Sequence, residues 1–465
     1  MQKAIWKNFI WNNLKKITDS KVATYRKGKY MNVFGTIYRY ELKKILQKKI
    51  VWITVIIGFI ITVVTIVSNL FGYHYVNGVK SDSHYESFLQ DREYERALNG
   101  RKIDQTLLEE MKAAYDKVEA LINSPSELNS TGDKWINGNG VVVGAATSEA
   151  QITDEQRVVI DNAYKTIAQP YKAIYNFARG MTDMTTNDIS KWRADEQDLY
   201  AKRSAYLEEL WRESNLSNDE KLFWKQKEAE QKRPVIFHYA GGYEILFHAE
   251  LTIGLFIMFA AAICLASIFT EEHARKTDQL ILCSTQGKAR LYWVKLLAGI
   301  TFIVVVSLAV FGLAFLLAFC VYGIDGFSAP VQLVYPRCSW VLSIGQAILI
   351  IYGLLLLLVI FFSLCVMILS ELLHSNIATL AAATAFLIGG MIINIPVQYR
   401  VISQLWDSLP NTFYFTWNIF DLRLIKLFGH YFTAWQVIPV FYMVIGIAII
   451  FVGKPIYQRF QISGR

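Results

Sequence analysis

Six long apolar runs separate the more polar stretches of the chain. Each run is close to or above the ~20 residues that a helix needs to cross a hydrocarbon layer of ~30 Å. The pattern therefore predicts six transmembrane helices. The runs are Ile50–Phe71, Leu251–Phe269, Leu291–Tyr322, Trp340–Leu369, Ile377–Ile395 and Val437–Val452.

The longest polar stretch lies between the first and second apolar runs. Charged and apolar residues recur there at helical spacing over 85–122, 154–177 and 190–232, and strand patterns are nearly absent. Ser217 followed by Glu220 has the pattern of a capping box, which marks the start of a helix. We predict a mostly helical domain inserted between the first two spans.

A basic amphipathic stretch, residues 33–49, directly precedes the first run. Its apolar residues alternate with charged ones that include Arg39, Glu41, Lys43 and Lys44. A helix of this composition lies along a membrane surface and keeps its cationic side chains at the headgroups. The pattern predicts an interfacial elbow helix, and a similar basic pattern covers residues 3–17.

The predicted fold is an all-α membrane protein with an N-terminal elbow helix, six transmembrane helices and a mostly helical extracytoplasmic domain. We place its boundaries from the runs above. The segments are a cytoplasmic basic segment at 1–49, the first span at 50–71, the extracytoplasmic domain at 72–247, spans two to six at 248–455 with a cytoplasmic loop at 270–290, and a cytoplasmic tail at 456–465.

Charge distribution predicts the orientation. Residues 1–49 contain 13 Lys and Arg against 2 acidic residues, whereas residues 72–247 contain 22 Lys and Arg against 29 acidic residues. Because Lys and Arg concentrate on cytoplasmic flanks of membrane helices, both termini are predicted to be cytoplasmic and the inserted domain external. The net charge of +8 is then a feature of membrane topology, and we expect no nucleic-acid partner.

Known catalytic motifs are missing from the sequence. It has no phosphate-binding G-x-x-x-x-G-K-[ST], no G-x-S-x-G nucleophile elbow and no H-E-x-x-H zinc helix. Glu244, His248 and Glu250 recur at helical spacing near the second span, where a polar belt at the membrane boundary is a better interpretation than a metal site. We predict no catalytic residues, no metal and no cofactor bound by this chain.

The loop after the second span is the most informative segment. It begins with Glu271 and Glu272, continues through Lys276 and Thr277 into a leucine-rich amphipathic helix, and leads through basic residues to Lys295. Together with the elbow pattern, the six runs and the polar stretch Leu409–Asp421, this loop resembles that of the membrane subunits of type-2 ABC exporters. The inserted domain is outside the resemblance.

The resemblance implies a division of labour. A separate cytoplasmic ABC ATPase subunit would hold ATP and Mg²⁺, and a second permease subunit, identical or different, would pair with this one in the bilayer. Small residues in the fifth span, Gly389 and Gly390, would pack against that subunit. The loop residues implied to couple to the ATPase are Glu271, Glu272, Arg275, Thr277, Leu280 and Leu282.

Two functions fit these observations. The leading hypothesis is the permease of an ATP-driven exporter in a bacterial plasma membrane, with an amphipathic, lipid-like or peptide substrate. The alternative is a non-transporting membrane scaffold or sensor whose outer domain binds a ligand or another protein, which the size of the insert favours.

Overall fold

Long apolar helices form the body of the molecule. The computed structural model describes residues 34–76, 79–123, 154–184, 196–271 and 287–459. Its helices are α1 (34–46), α2 (Lys49–Val67), α3 (His84–Ala97), α4 (Gln105–Asn123), α5 (Asp154–Ala163), α6 (Lys172–Thr182), α7 (Glu196–Glu213), α8 (Asn218–Ala229), α9 (Gly241–Leu265), α10 (Gly287–Tyr322), α11 (Ile344–Leu373), α12 (Asn376–Ile392), α13 (Arg400–Asp407), α14 (Thr416–Ile419) and α15 (Ala434–Arg459). Short 3-10 helices lie at Ser68–Leu70, Gln169–Tyr171 and Val331–Leu333, and a π-helical turn at Tyr164–Ala168. Two hairpins, β1 (Tyr73–Val76) with β2 (Val79–Ser83) and β3 (Ile425–Leu427) with β4 (His430–Phe432), are the described strands.

Five of these helices, α2, α9, α10, α11 and α15, have the length and composition of membrane spans within the described ranges. The predicted fifth span corresponds to α12, an apolar helix of 17 residues. It ends at Ile392, three residues before the predicted end, and the following chain is irregular as far as Pro396. A proline disfavours the helical conformation of the residue before it. The structure thus supports a multi-pass helical protein, and the count of six spans stays a prediction.

The second span, α9, is the centre of the bundle. It packs against α2, α10, α11 and α12. The close approach of α9 to α2 and to α11 depends on glycines. A side chain at Gly58 of α2 would overlap the Phe256 ring, and one at Gly254 of α9 would meet Leu355. The helix begins at Gly241, ten residues before its apolar run, so its first turns belong to the boundary with the inserted domain.

The inserted domain is largely helical, as predicted. Its main core joins α4, α6 and α7, with Leu108, Phe177 and Leu199 all fully or almost fully buried. Ser217 caps α8 by accepting a hydrogen bond from the Glu220 amide, and the Glu220 carboxylate accepts one from the Ser217 amide, which confirms the predicted capping box. The predicted loop at 124–146 lies outside the described residues.

Two short hairpins depart from the all-α prediction. The turn of the β3–β4 hairpin consists of Phe428 and Gly429, which both have positive φ, 51° and 84°. Two central residues with positive φ form the type I′ turn that matches the twist of paired strands. A turn this short has little sequence pattern beyond its glycine, which is why the apolar spacing did not reveal it.

Candidate functional site

A buried ion pair joins α1 to the bundle. Glu41 is the only acidic residue of α1 and is 4% exposed, and Lys295 of α10 is fully buried. The Lys295 Nζ lies 3.5 Å from Glu41 Oε2 and donates a hydrogen bond of 2.6 Å to the carbonyl of Ile268. Lys44 also pairs with Glu41, at 3.2 Å. Burial of these charges is tolerated because each has a partner.

A second ion pair holds the first described residues of the loop after α9. Lys48, in the break between α1 and α2, lies 2.8 Å from Glu271 and donates a hydrogen bond of 2.7 Å to Ser267. The last carbonyls of a helix lack intrahelical donors, and cations are favourable there. Lys48 and Lys295 therefore hold the segment just after α9, from Ser267 to Glu271, from two sides, through side chains that belong to α10 and to the α1–α2 connection.

Aromatic rings extend this contact to the last span. Phe269 packs against Tyr292 of α10 and Tyr457 of α15, with ring centroids 5.9 and 5.4 Å apart. Tyr292 donates a hydrogen bond of 2.6 Å to the carbonyl of Ile450. We call this region, where α1, the end of α9, the start of α10 and the end of α15 meet, the elbow end of the bundle.

The predicted elbow and loop residues are placed as follows. The helix expected over 33–49 is present as α1, and Arg39 and Lys43 are exposed on it while Glu41 points inward. Whether α1 lies along a membrane surface stays a prediction. Glu271 is bound to Lys48. The other predicted coupling residues lie outside the described residues, namely Glu272, Arg275, Thr277, Leu280 and Leu282.

The two glycines predicted to contact a second subunit differ in their surroundings. A side chain at Gly390 would come within 2.2 Å of the Asn411 carbonyl oxygen, so Gly390 serves a contact within this chain. At Gly389 only the Ile393 side chain is close, at 3.8 Å. Of the two glycines, Gly389 is the one with space for a second subunit, and packing between subunits stays a prediction.

The opposite end of the bundle, the domain end, fastens the inserted domain to the loop between α10 and α11. Arg203 of α7 is fully buried and pairs with Glu228 at 2.6 Å. The same guanidinium donates hydrogen bonds to the carbonyls of Pro336, at 2.6 Å, and Cys338, at 3.4 Å. Arg233 is a second partner of Glu228, at 2.8 Å.

A second attachment joins the domain to the segment between α12 and α15. Glu220 of α8 pairs with Arg400 at the start of α13 and accepts a hydrogen bond of 2.8 Å from the amide of Leu424. Trp224, one turn further along α8, donates a hydrogen bond of 2.7 Å to the carbonyl of Leu422. The Arg400 partner and two backbone contacts hold Glu220 ionised and lower its pKa, against the opposing effect of its burial.

The polar stretch Leu409–Asp421 packs inside the bundle. Phe413 and Tyr414 are each 2% exposed, and Thr416 donates a hydrogen bond to Glu250 of α9. Glu250 itself is 4% exposed. Irregular backbone at membrane depth is tolerated where protein buries it. Glu250 is thus an internal contact of the bundle, where a belt at the membrane boundary was predicted.

Sequence reasoning missed the pairing of Glu41 with Lys295. Each residue carries a signal in hindsight, because Glu41 is the one acid in a basic helix and Lys295 is the one charge within an apolar stretch of α10. Their separation of more than 250 positions concealed the contact. The roles of Arg203 and Arg400 had no comparable signal among the many charges of the insert.

Comparison with known protein families agrees with this architecture. The family described as ABC-2 family transporter protein matches residues 35–435, which includes α1, the inserted domain and the bundle as far as the start of α15. No protein with a curated description matches the chain. Since the family match spans most of the 465 residues, the chain belongs to the ABC-2 transporter family and is a multi-pass membrane component of a transport system.

Proposed function

We propose that this chain is the permease subunit of an ATP-driven ABC exporter for an amphipathic, lipid-like or peptide substrate. A separate cytoplasmic ABC ATPase would bind and hydrolyse ATP with Mg²⁺. A second permease subunit, the same or a different chain, would complete the path through a bacterial plasma membrane. Membership of the ABC-2 family supports the permease assignment.

The observation that carries the proposal is the construction of the elbow end. Lys295 and Lys48 hold the segment from Ile268 to Glu271, from which the proposed coupling loop departs. A displacement of that loop would therefore act on α1, α9 and α10 together. Transport driven by a separate ATPase needs such a mechanical connection between the loop and the spans.

Charge supports the proposed orientation. The 13 Lys and Arg residues of the first 49 positions favour the cytoplasmic side, and the inserted domain with its net negative charge favours the outside. With α12 as a sixth, short span, both termini lie in the cytoplasm and the elbow end faces the ATPase. The domain end then faces outward.

The test is purification of the complete chain from its native membrane in mild detergent, followed by mass spectrometry of the proteins that remain bound. We expect an ABC ATPase subunit in the complex. The double variant Glu271→Ala with Glu272→Ala should lose the ATPase or lose substrate-stimulated ATP hydrolysis, because it removes the acidic pair at the start of the loop.

A matched control is the double variant Glu208→Ala with Glu209→Ala, an acidic pair exposed on α7 of the inserted domain. This control should retain the ATPase. Purification of the intact chain without any ATPase, together with a ligand or protein bound to the outer domain, would favour the scaffold or sensor instead.

A further inference from the structure

A cavity of about 530 Å³ lies at the domain end, between the inserted domain and the outer ends of three long helices. Its walls come from Ser68–Phe71 after α2, from the first two turns of α9, and from Tyr322 at the end of α10. Helix α3 and His74 of β1 close it on the domain side. The volume falls within the range of ~300 to 1,000 Å³ typical of small-molecule sites.

Two carboxylates in this cavity form no short ion pair in the described part of the chain. Glu95 of α3 and Glu244 of α9 both line it, and neither side chain makes a hydrogen bond or ion pair within the described ranges. The third acid, Asp91, is neutralised by Lys172 at 2.7 Å and accepts a hydrogen bond from Gln169. Glu95 and Glu244 are therefore the acids of the cavity that have no salt-bridge partner among the described residues.

The cations and histidines nearby compensate these carboxylates only in part, since Lys172 acts on both and His248 on Glu244 from beyond ion-pair distance. Arg92 lies over the Phe88 ring, with its guanidinium carbon 5.3 Å from the ring centroid, and donates a hydrogen bond to the carbonyl of Val321. Burial and the neighbouring His84 lower the pKa of His74, which favours its neutral form. Burial and the proximity of Glu244 and Asp91 raise the pKa of Glu95 to about 8. A bound cation would relieve that repulsion.

Apolar and aromatic side chains form part of the remaining wall, beside polar ones such as Ser68, Asn69 and Ser87. Leu70, Phe71, Phe88 and Ile245 contribute hydrocarbon surface, and Tyr322 contributes a ring that packs against Phe88 with centroids 5.0 Å apart. Aromatic faces attract ammonium groups as well as alkyl chains. The cavity thus combines a negative centre with an apolar wall at the level where the long helices leave the bilayer.

A metal ion is a poorer fit to this cavity. Among the residues that the structure describes, no three His, Cys, Asp or Glu side chains come together as metal ligands. An organic cation makes no demand for coordination geometry and uses the apolar wall as well. From this arrangement we infer that the cavity binds the ammonium group of a cationic amphiphile, with Glu95 and Glu244 as its counter-charges and the Leu70–Phe71 wall against its hydrocarbon part.

This inference rests on the proposed function only in identifying the bound amphiphile as a transported substrate. Binding itself involves neither the ATPase nor transport. A failure of the binding experiment therefore leaves the permease proposal intact, and a failure to recover an ATPase leaves a positive binding result intact.

The experiment is a fluorescence titration of the full chain in nanodiscs of an uncharged phosphatidylcholine. The probe is a dansyl-labelled long-chain primary amine, and the matched dansyl-labelled alcohol is the uncharged comparison. We expect the amine to bind at least about tenfold more tightly than the alcohol. The double variant Glu95→Gln with Glu244→Gln should abolish that preference and leave alcohol binding unchanged.

Two controls make the result decisive. Glu208→Gln with Glu209→Gln, on an exposed face of α7, should bind the amine as the wild type does. The thermal unfolding midpoint of the cavity variant should match the wild type, and if it does not, the single variants are titrated instead. Equal affinity for amine and alcohol, no effect of the Glu95 and Glu244 variants, or displacement of the probe by zinc chloride at a lower concentration than by unlabelled amine would each overturn the inference.

Discussion

The two ends of the bundle are both held by buried charges, yet they are built differently. At the domain end, arginines form short ion pairs and also donate to backbone carbonyls, as Arg203 does with Glu228 and Pro336. At the elbow end, the cations of the ion pairs are lysines, and the Lys295–Glu41 distance is longer, 3.5 Å. Arginine presents a rigid planar fork, whereas lysine is a point charge on a flexible stem.

This difference indicates different mechanical roles. Arg203 and Glu220 connect the inserted domain to the α10–α11 loop and to the segment before α15, so the domain and these loops form one rigid attachment. At the elbow end, Lys48 contacts Glu271 and Ser267, and Lys295 contacts Glu41 and the Ile268 carbonyl. A contact of this kind can shift without breaking every partner, which suits the end where we propose that the ATPase acts.

Replacement of Arg203 should have the largest effect on stability. Arg203→Met removes a fully buried guanidinium and leaves Glu228 with Arg233 and Gln231 as partners. We expect a loss of about 3 kcal/mol in the free energy of local unfolding, measured by hydrogen exchange of α7 and α8. The matched control, Arg212→Met, affects an exposed pair with Glu209 and should cost about 0 to 1 kcal/mol. Equal losses in the two variants would contradict a rigid attachment at Arg203.

Lys295→Met should loosen the elbow end by a smaller amount. The Ile268 carbonyl loses its charged donor, while Glu41 keeps Lys44 at 3.2 Å. We expect about 2 kcal/mol, measured by hydrogen exchange at 34–46 and 266–271. Exchange in the inserted domain should stay unchanged. Lys43→Met, on the exposed face of α1, is the control, and an equal effect there would argue against a special role for Lys295.

Trp224→Phe tests one hydrogen bond of the domain end. The phenylalanine keeps an aromatic ring beside Trp340 but cannot donate to the Leu422 carbonyl. We expect a loss of about 1 kcal/mol in the same exchange measurement. Trp417→Phe, at a tryptophan that is 59% exposed, should produce no measurable change. A larger loss at Trp417 would show that the contact to Leu422 adds little.

The smallest expected effect is a pH dependence at the cavity, because Glu95 is partly exposed and solvent screens its charge. The raised pKa of Glu95, about 8 against an ordinary 4.5, means that the folded state binds the proton more tightly than the unfolded state. Stability from this group is therefore present at low pH and lost as the pH rises from about 4.5 through 8. Burial is the main cause of the raised pKa, Glu244 and Asp91 add to it, and Lys172 opposes it.

Hydrogen exchange of α3, corrected for the intrinsic pH dependence, should accordingly be faster at pH 9 than at pH 6. Glu95→Gln should flatten this difference, and Glu93→Gln, exposed on the same helix, should not. A wild-type profile that is already flat would show that Glu95 is not repelled by its neighbours.

Local patterns in the sequence account for much of the fold. The apolar runs located the helices of the bundle, the Ser217 capping box located the start of α8, and the basic pattern at 33–49 located α1. Contacts over long sequence separations were not accessible to this reasoning. Glu220 shows the limit, because the same carboxylate that caps α8 also pairs with Arg400, 180 positions away. The cavity was equally hidden, since its walls come from five separate segments.

The most direct test of the proposed coupling site compares the two ends of the bundle in one experiment. A photo-crosslinking amino acid is placed either at Glu271, at the elbow end, or at Phe428, the fully exposed tip of the β3–β4 hairpin. In native membranes we expect a crosslink to an ABC ATPase from position 271 and none from position 428. An ATPase crosslink from position 428, or its absence at position 271 in a complex that contains the ATPase, would contradict the proposed coupling site.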